Sequence, residues 1–265
     1  MKYGFLRSTR LRVLVNGIHA KSGGGVTYLR NMMPLLAAFG DLELHLFIHR
    51  DQYPLFRDLD EHVRLHLLEY PNGFFASLVW EQLALPVLAR VMSVDVTVSP
   101  ANYGPLAAPA PVIVLRNSLA VVGRERRLMK RLYWAGLALM TAFSLLTCRR
   151  AIAVSHYART ALTFGLRGRV QEKVTVVYHG VRDIFSPGEA AQGRENFLLA
   201  VSDIYVQKNL HNLIQALAAV IGEFPQITLK IAGRDIDRGY LEELKARIRE
   251  LRLEKSVVFL GECST

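Results

Sequence analysis

Short runs rich in Val, Ile and Leu recur along this chain, separated by longer segments with helical periodicity. Runs of this kind are typical of strands buried on both faces of a parallel sheet. The longer segments are typical of the crossover helices that connect such strands. The pattern therefore predicts an α/β fold throughout. Seven runs come first, at residues 11–17, 42–49, 63–70, 94–100, 111–117, 151–155 and 174–180.

Residues 181–196 lose the apolar periodicity and gather Pro, Gly and charged residues, as a connection between domains does. We therefore predict a first domain over 1–183, a linker over 184–196 and a second domain over 197–265. The second domain is predicted to have the order βαβαβ, with its elements at 197–203, 209–222, 227–233, 238–253 and 257–261.

A doubly wound domain contains two βαβαβ halves with strand order 3-2-1-4-5-6, and only one half follows the linker. The second Rossmann-like domain is thus expected to be half present, in a chain that is a C-terminally truncated fragment. Its first strand, from Phe197, is expected to be an exposed edge.

Charge is unevenly distributed along the chain, which has 33 Lys and Arg against 23 Asp and Glu, a net charge of +10. Residues 191–265 contain 10 of each sign, so the positive excess lies in residues 1–190. A basic surface suits an anionic membrane, nucleic acid or a phosphorylated substrate, and charge alone does not distinguish them. With 51% hydrophobic and 21% charged residues, long disorder is not expected.

The cellular setting is constrained by the cysteines and the N-terminus. Cys148 and Cys263 have neither a disulfide pattern nor metal-ligand spacing, which indicates a reducing, cytoplasmic environment. No long apolar run precedes the first strand, so no cleavable signal peptide is expected.

One apolar run, residues 132–148, has about the minimum length of a membrane span and is flanked by basic residues. A helix buried against the sheet is the favoured interpretation, because the run contains Thr141, Ser144 and Thr147 and leads directly into a strand. A helix on a membrane surface and a true span are the two alternatives.

Glycines at 23–25 follow the first strand and open a helix. Such a turn lets a ligand approach the backbone, and the helix N-terminus offers N–H groups to a phosphate or a sugar oxygen. A tight loop that only permits helix packing is the alternative. The glycines are contiguous, unlike the dinucleotide fingerprint G-x-G-x-x-G, and no P-loop Lys follows, so a hydride-transfer enzyme and an NTPase are both disfavoured.

A second strand-to-helix turn, in residues 200–217, carries Lys208 and Asn209. A Lys here is a point charge where a diphosphate would lie, and a solvated surface Lys is the alternative. Polar residues after the next strand, Arg234, Asp235 and Asp237, suit either a nucleobase contact or a solvated turn. No metal constellation is present among the scattered histidines.

Several segments, taken in their order along the chain, resemble those of the GT-B retaining glycosyltransferases of family 4. That family belongs to the glycosyl transferases group 1. The resemblance extends over nearly all of the chain. The glycine turn resembles the family's N-terminal loop and helix, and residues 200–217 its donor-diphosphate loop. Residues 80–86 and 94–106 resemble the family's middle strands, and residues 151–162 resemble a strand and the helix after it. Residues 174–187 resemble a strand, a turn and the interdomain linker, with His179 where Asn is commoner. Residues 227–233 and 257–264 resemble two later strands.

This resemblance implies two Rossmann-like domains, with a nucleotide-sugar donor held mainly by the second and an acceptor mainly by the first. It implies that Gly24 and Gly25 approach the donor phosphate or the acceptor. It also implies that Lys208 neutralises the leaving diphosphate, in a donor-binding loop with Ser202 and Asn209. Neither a metal nor a cofactor is implied.

Besides His179, the chain departs from the family pattern at three places. Ser202, Asp203 and Ile204 stand where the family often has an Arg. Arg116 and Asn117 stand at the end of the fifth strand, where the family often has a His. They are candidates for a catalytic role, through a phosphate and a sugar hydroxyl, and a structural polar pair is the alternative. The family's paired glutamates, which hold the donor sugar and ribose, would lie beyond Thr265.

The resemblance therefore implies a retaining hexosyltransferase, with mannose as one candidate sugar, that uses a nucleotide diphosphate sugar and a glycan or lipid-linked acceptor in polysaccharide biosynthesis. It is expected in the cytoplasm, with peripheral contact to the inner membrane face through the basic first domain and no nucleic-acid partner. The alternative is a catalytically silent truncated homologue that serves as an acceptor-binding module.

Overall fold

The structure is a computed structural model, and it describes residues 10–59, 61, 63–71, 73–116, 128–166, 168–181 and 196–263. The chain divides into two compact units, Met1–Gly180 and Val181–Thr265. The predicted linker, 184–196, lies outside the described residues except for its last position. The predicted domain limits therefore stay a prediction.

The first unit is built on one seven-stranded parallel sheet with the order β3-β2-β1-β4-β5-β6-β7. All seven predicted strands are confirmed. Their bounds are β1 Leu11–Asn16, β2 Leu42–His49, β3 Arg64–Leu68, β4 Val96–Ser99, β5 Pro111–Leu115, β6 Arg150–Ala153 and β7 Val174–Val176.

Helices lie between successive strands of the sheet, except between β4 and β5. They are α1 Gly23–Ala37, the single turn α2 Tyr53–Phe56, α3 Phe74–Val79, α4 Leu85–Val91, α5 Leu128–Thr147, α6 His156–Leu162 and α7 Arg169–Glu172. A π-helical turn, Trp80–Ala84, joins α3 to α4, and we call the continuous element Phe74–Val91 the α3–α4 helix. By length and composition, it is one described helix that is apolar enough to cross a membrane.

Residues 80–86 are helical, so their interpretation as a middle strand is wrong. The physical reason is composition: this segment contains Leu, Ala, Gln and Glu, which favour a helix, and no β-branched residue.

The second unit is a three-stranded parallel sheet with the order β10-β9-β8. Its predicted βαβαβ order is confirmed, with β8 Phe197–Val201, α8 Leu210–Val220, β9 Thr228–Ala232, α9 Arg238–Glu250 and β10 Val257–Gly261. Helices α8 and α9 cover one core, formed around Ile214, Leu229, Ile231 and Leu244. As predicted, β8 is an edge strand, and most of its side chains are exposed.

Buried Val, Ile and Leu side chains of the strands form the cores of the first unit on the two faces of its sheet. Val13, Val15 and Leu46 pack with Leu29 and Met33 of α1, and Ile113 and Leu115 pack with Leu137 and Leu145 of α5. These two packings fix the carboxyl ends of the strands, where the candidate site lies.

Candidate functional site

Strands β1 and β4 are neighbours at the centre of the sheet, but the chain continues from them in opposite directions, to β2 and to β5. In open α/β sheets the ligand crevice lies at the carboxyl ends of such a pair of strands, where the loops diverge. The loops that follow Asn16 of β1 and Ser99 of β4 therefore define the candidate site of the first unit.

The glycine turn begins α1 at this position. Gly23 has φ +55°, a conformation that glycine adopts at no steric cost. Ser22, the residue before the helix, is extended and its side chain caps no backbone N–H, and the first turn contains no acidic residue. Among the described residues, no side chain thus caps the first N–H groups of α1, as in an anion-binding helix N-terminus.

Arg116 reaches this N-terminus from the end of β5. A Cβ atom placed on Gly24 would lie 3.6 Å from its Nη2, and one on Gly25 would lie 4.0 Å from its Nη1. The guanidinium is held by Nη1, which donates to the carbonyl oxygen of Pro100 over 3.0 Å, and the backbone N of Arg116 donates to Oδ1 of Asn102 over 2.8 Å. The structure thus brings together Gly24, Gly25 and Arg116, three residues predicted separately.

Two aromatic side chains extend the contacts of Arg116. Its Cζ lies 5.2 Å from the centre of the Tyr28 ring, and that ring meets His179 edge-on at 5.5 Å. Burial lowers the pKa of His179, and the nearby Arg116 lowers it further. His179 is therefore neutral at neutral pH, so the fixed positive charge among these three side chains is that of Arg116. A guanidinium beside a helix N-terminus suits a phosphate or another anion.

A buried carboxylate, Glu81, lies at the same edge of the sheet and was missed by the sequence reasoning. Its Oε1 accepts a hydrogen bond of 2.5 Å from Nδ2 of Asn16, and its Oε2 lies 3.0 Å from Nε2 of His19. Burial raises the pKa of Tyr103, as does the charge of Glu81, and the Tyr103 ring lies 5.1 Å from that of His19.

Of the Glu81–His19 pair, His19 is partly exposed and Glu81 is fully buried. The carboxylate can therefore orient the imidazole, and the imidazole can meet a hydroxyl of a ligand. The available sequence signal was the single acidic residue of a mostly apolar helix. Its partners at the end of β1 and in the loop after it could be named only from the fold.

In the second unit, polar side chains meet at the carboxyl ends of β8 and β9. The carboxylate of Asp203 accepts hydrogen bonds from Nε and Nη2 of Arg234 over 3.2 and 2.9 Å, and from its backbone N over 3.1 Å. These bonds lower the pKa of Asp203 and raise that of Arg234. The family's Arg is absent from the segment after β8, but Arg234, which follows β9, lies beside this strand end and pairs with Asp203.

Gly233 makes this approach of the two strand ends possible. It has φ +157°, and a Cβ atom here would lie 2.0 Å from the carbonyl oxygen of Ser202. The Oγ atom of Ser202 is buried and has no hydrogen-bond partner among the described residues. The predicted donor-binding residue Ser202 therefore has an unused polar atom at this strand end.

Lys208 lies in the turn before α8, with its Nζ 5.5 Å from the centre of the Tyr205 ring. Its side chain is exposed, and it forms no ion pair with a described residue, although its charge helps to lower the pKa of Asp203. Asn209 follows with φ +57° and precedes the helix. The Tyr240 hydroxyl accepts from the backbone N of His211 over 3.2 Å, so an N–H of the first turn of α8 already has a partner.

The other predicted residues take different places. Asn117 lies outside the described residues. Asp237 caps α9, where its Oδ1 accepts from the backbone N of Tyr240 over 3.3 Å. The described residues contain no group of three or more His, Cys, Asp or Glu side chains that could hold a metal ion.

The fold is that of GT-B glycosyltransferases. The chain is similar to HepE of Anabaena, solved in complex with UDP-glucose, with 20% identity and a TM-score of 0.64, over 96% of this chain and 70% of that one. It is also similar to WaaG, a glycosyltransferase involved in lipopolysaccharide biosynthesis, with 13% identity and a TM-score of 0.68, over 95% and 70% of the two chains. A glycosyltransferase from Rickettsia africae matches with 14% identity and a TM-score of 0.63, over 96% and 69%.

Residues 181–265 match the family model of the glycosyl transferases group 1. No curated protein matches the chain. This family match confirms the group 1 part of the resemblance for the second unit. The matched region contains Lys208, Asn209 and the Asp203–Arg234 pair.

Proposed function

We propose that this chain is a glycosyltransferase that moves a hexose from a nucleoside diphosphate sugar to a glycan or lipid-linked acceptor with retention of configuration. The observation that carries the proposal is the match of residues 181–265 to the glycosyl transferases group 1, with a Lys at the carboxyl end of the first strand of that unit. The complex of HepE with UDP-glucose supports a nucleotide sugar as the donor.

Lys208 is proposed to stabilise the leaving diphosphate. Negative charge grows on the phosphate oxygens as the bond to the sugar breaks, and a fixed cation lowers the free energy of that transition state. The ammonium is exposed in the turn that follows β8, where a ligand can reach it. The Oγ of Ser202 offers a further hydrogen bond at the same strand end.

The first unit is proposed to hold the acceptor. Arg116 and the first turn of α1 would bind an anionic group, and His19, oriented by Glu81, would bind a hydroxyl. A lipid-linked acceptor with a phosphate and a sugar presents both of these groups. Arg116 then acts by binding and positioning.

The remaining parts of the proposal concern setting and chemistry. We propose a reaction that needs neither metal nor cofactor, in polysaccharide biosynthesis, and a cytoplasmic protein in peripheral contact with the inner membrane face. The sugar is a hexose, and mannose is one candidate. The basic charge of residues 1–190 supports the membrane contact.

Transfer of a labelled sugar to a lipid or glycan fraction tests the proposal. The chain is incubated with labelled UDP-, GDP-, ADP- and dTDP-hexoses, as wild type and as Lys208→Met. We expect transfer from one donor, reduced about a hundredfold in Lys208→Met because charge stabilisation in the transition state is lost. Lys255→Met is the matched control, since Lys255 is an exposed lysine of the same unit, outside the strand-end turn. Equal activity of Lys208→Met and wild type would contradict the assigned role.

A further inference from the structure

Helix α5 is apolar on both of its sides, and one of the sides is not covered by described residues. Leu137, Leu145 and Cys148, just after the helix, are buried in the core. The opposite side exposes apolar residues at helical spacing: Leu128, Leu132, Leu139, Phe143 and Leu146. The favoured prediction of a buried helix is therefore right for only one side of the helix.

The α3–α4 helix shows the same arrangement. Exposed apolar side chains recur along it at every fourth residue, and at its ends Phe75 and Val91 are 79% and 76% exposed. Between them lie Val79, Leu83 and Val87, which are also exposed. Single exposed apolar residues are ordinary in proteins, whereas a continuous stripe marks an interaction surface.

The two helices approach each other at two places, and the order of these places gives them the same direction. Near their N-terminal ends, the rings of Phe74 and Tyr133 are 4.9 Å apart. Further along, Gln82 and Ser144 both bond to Gly104: Nε2 of Gln82 donates to its carbonyl oxygen over 3.2 Å, and its backbone N donates to Oγ of Ser144 over 3.2 Å. We call the exposed apolar side chains of both helices the two-helix face.

Charges at the margins of the two-helix face are positive. Arg90, Arg131, Arg149 and Arg150 are exposed on or next to the ends of the two helices. Glu81 is the single acidic residue in 74–91, and it is fully buried, while 128–150 contains no acidic residue. The two helices thus combine exposed apolar side chains with positive charges, and neither helix carries an exposed acidic side chain.

We propose that the two-helix face lies on the surface of an anionic phospholipid membrane. Its apolar side chains would enter the boundary between headgroups and acyl chains, and its arginines would meet lipid phosphates. This occupant fits the charges better than a second copy of the chain does, because two copies meeting through this face would bring arginines against arginines.

The helices would lie in the interface and would not cross the bilayer. Although the α3–α4 helix is long and apolar enough for a span, Glu81 binds Asn16 of β1 and Gln82 binds Gly104. If the helix crossed the bilayer, Glu81 and Gln82 would lose these partners. Their carboxylate and amide would then be exposed to hydrocarbon, which is strongly unfavourable.

The chain's own tryptophans provide a fluorescence probe of binding, from positions partly buried beneath the two-helix face. The sequence contains two, Trp80 and Trp134, and each lies on one of the two helices. Vesicles of phosphatidylcholine, with and without about 30% phosphatidylglycerol, are titrated into the full chain, with bromine-labelled acyl chains as quencher. We expect at least about tenfold tighter binding to the anionic vesicles, bromine quenching, and weaker binding as salt rises, since salt screens exposed charges.

A pair of matched variants separates this face from surface hydrophobicity in general. Leu139→Ser/Phe143→Ser removes a Leu and a Phe four residues apart on α5, with exposed fractions of 61% and 52%. Leu35→Ser/Phe39→Ser removes the same pair at the end of α1, with exposed fractions of 69% and 61%. All four side chains are exposed, so both variants are expected to fold, which circular dichroism checks.

The first variant should lose vesicle binding at least about tenfold, and the second should bind like the wild type. Absence of binding to anionic vesicles, or an equal loss in both variants, would overturn the proposal. So would a chain that dimerises through Leu139 and Phe143 and binds no vesicle. This inference rests on the membrane contact in the proposed function and specifies its surface. Because these tests use no nucleotide sugar, their outcome is independent of the proposed transferase activity.

Discussion

Arg116 shows at the scale of one residue how the fold completes a site that the sequence only suggests. Its guanidinium lies over the glycine turn of α1, although Gly24 and Arg116 are far apart along the chain. The glycines could be predicted to bind an anion from the helix that follows them. The contact with Arg116 could not, because it depends on β1, β4 and β5 being neighbours in the sheet.

Replacement of this guanidinium tests its proposed role in binding. Arg116→Met should lower kcat/KM for glycosyl transfer by about tenfold to a hundredfold, since a hydrogen bond to a charged group contributes about 1.5–3 kcal/mol. Arg116→Lys should restore only part of the loss, because an ammonium lacks the planar fork of donors. Arg50→Met is the control: Arg50 is an exposed arginine of the same unit that pairs with Glu69. A variant Arg116→Met with wild-type kcat/KM would refute the role.

Gly233 is the residue for which the structure makes the sharpest stability prediction. Gly233→Ala should lower the free energy of unfolding by about 3 kcal/mol or more, because its Cβ would collide with backbone and its φ is unfavourable for alanine. Gly222→Ala is the control, since its Cβ would meet nothing within 4 Å, and it should change the stability by less than about 1 kcal/mol. Urea denaturation measures both. Equal curves for the two variants would show that the strand ends can move apart.

At the scale of elements, the strands were the most predictable part of the molecule. Buried parallel strands are short runs of β-branched and aliphatic residues, and each predicted run is a strand, although several end one to four residues early. Residues 80–86 were misassigned because a resemblance was followed where the local composition favours a helix. The exposed side of α5 could not be predicted, because an apolar sequence does not reveal which face of the helix is covered.

The pairing of β2 with β3 makes the stability of the first unit depend on pH. Nδ1 of His45 lies 2.9 Å from Nε2 of His66, and burial lowers the pKa of both imidazoles. The charge of Glu43 raises the pKa of His45 and so partly opposes the effect of burial. The charge of Arg64 lowers the pKa of both histidines further.

Both histidines bind a proton less readily in the folded than in the unfolded chain, whose histidine pKa is about 6.5. Their contribution is therefore fully present above pH ~6.5 and is lost as the pH falls below it. We expect Tm to fall from about pH 7 to about pH 5, before the carboxylates titrate, and His66→Gln to flatten this dependence. A Tm that is constant over this range in the wild type would contradict the shifts.

For the whole molecule, the fold, the match of the second unit and the charges of the strand-end turns lead to one account. The sequence was enough for the α/β class, the two parallel sheets and the position of Lys208 in a strand-to-helix turn, while its role in donor binding stays a prediction. The partners of Glu81, the Asp203–Arg234 pair and the two-helix face required the fold, since each brings together residues that are distant in the chain.

The central claim is that this chain binds a nucleoside diphosphate sugar through the turn that contains Lys208. Calorimetric titration of the chain with UDP-, GDP-, ADP- and dTDP-sugars measures this most directly. We predict a Kd of about 1 mM or lower for one of them, about tenfold weaker in Lys208→Met and unchanged in Lys255→Met. Heat of binding with a glycan acceptor but with none of the nucleotide sugars would contradict the claim and leave an acceptor-binding module in its place.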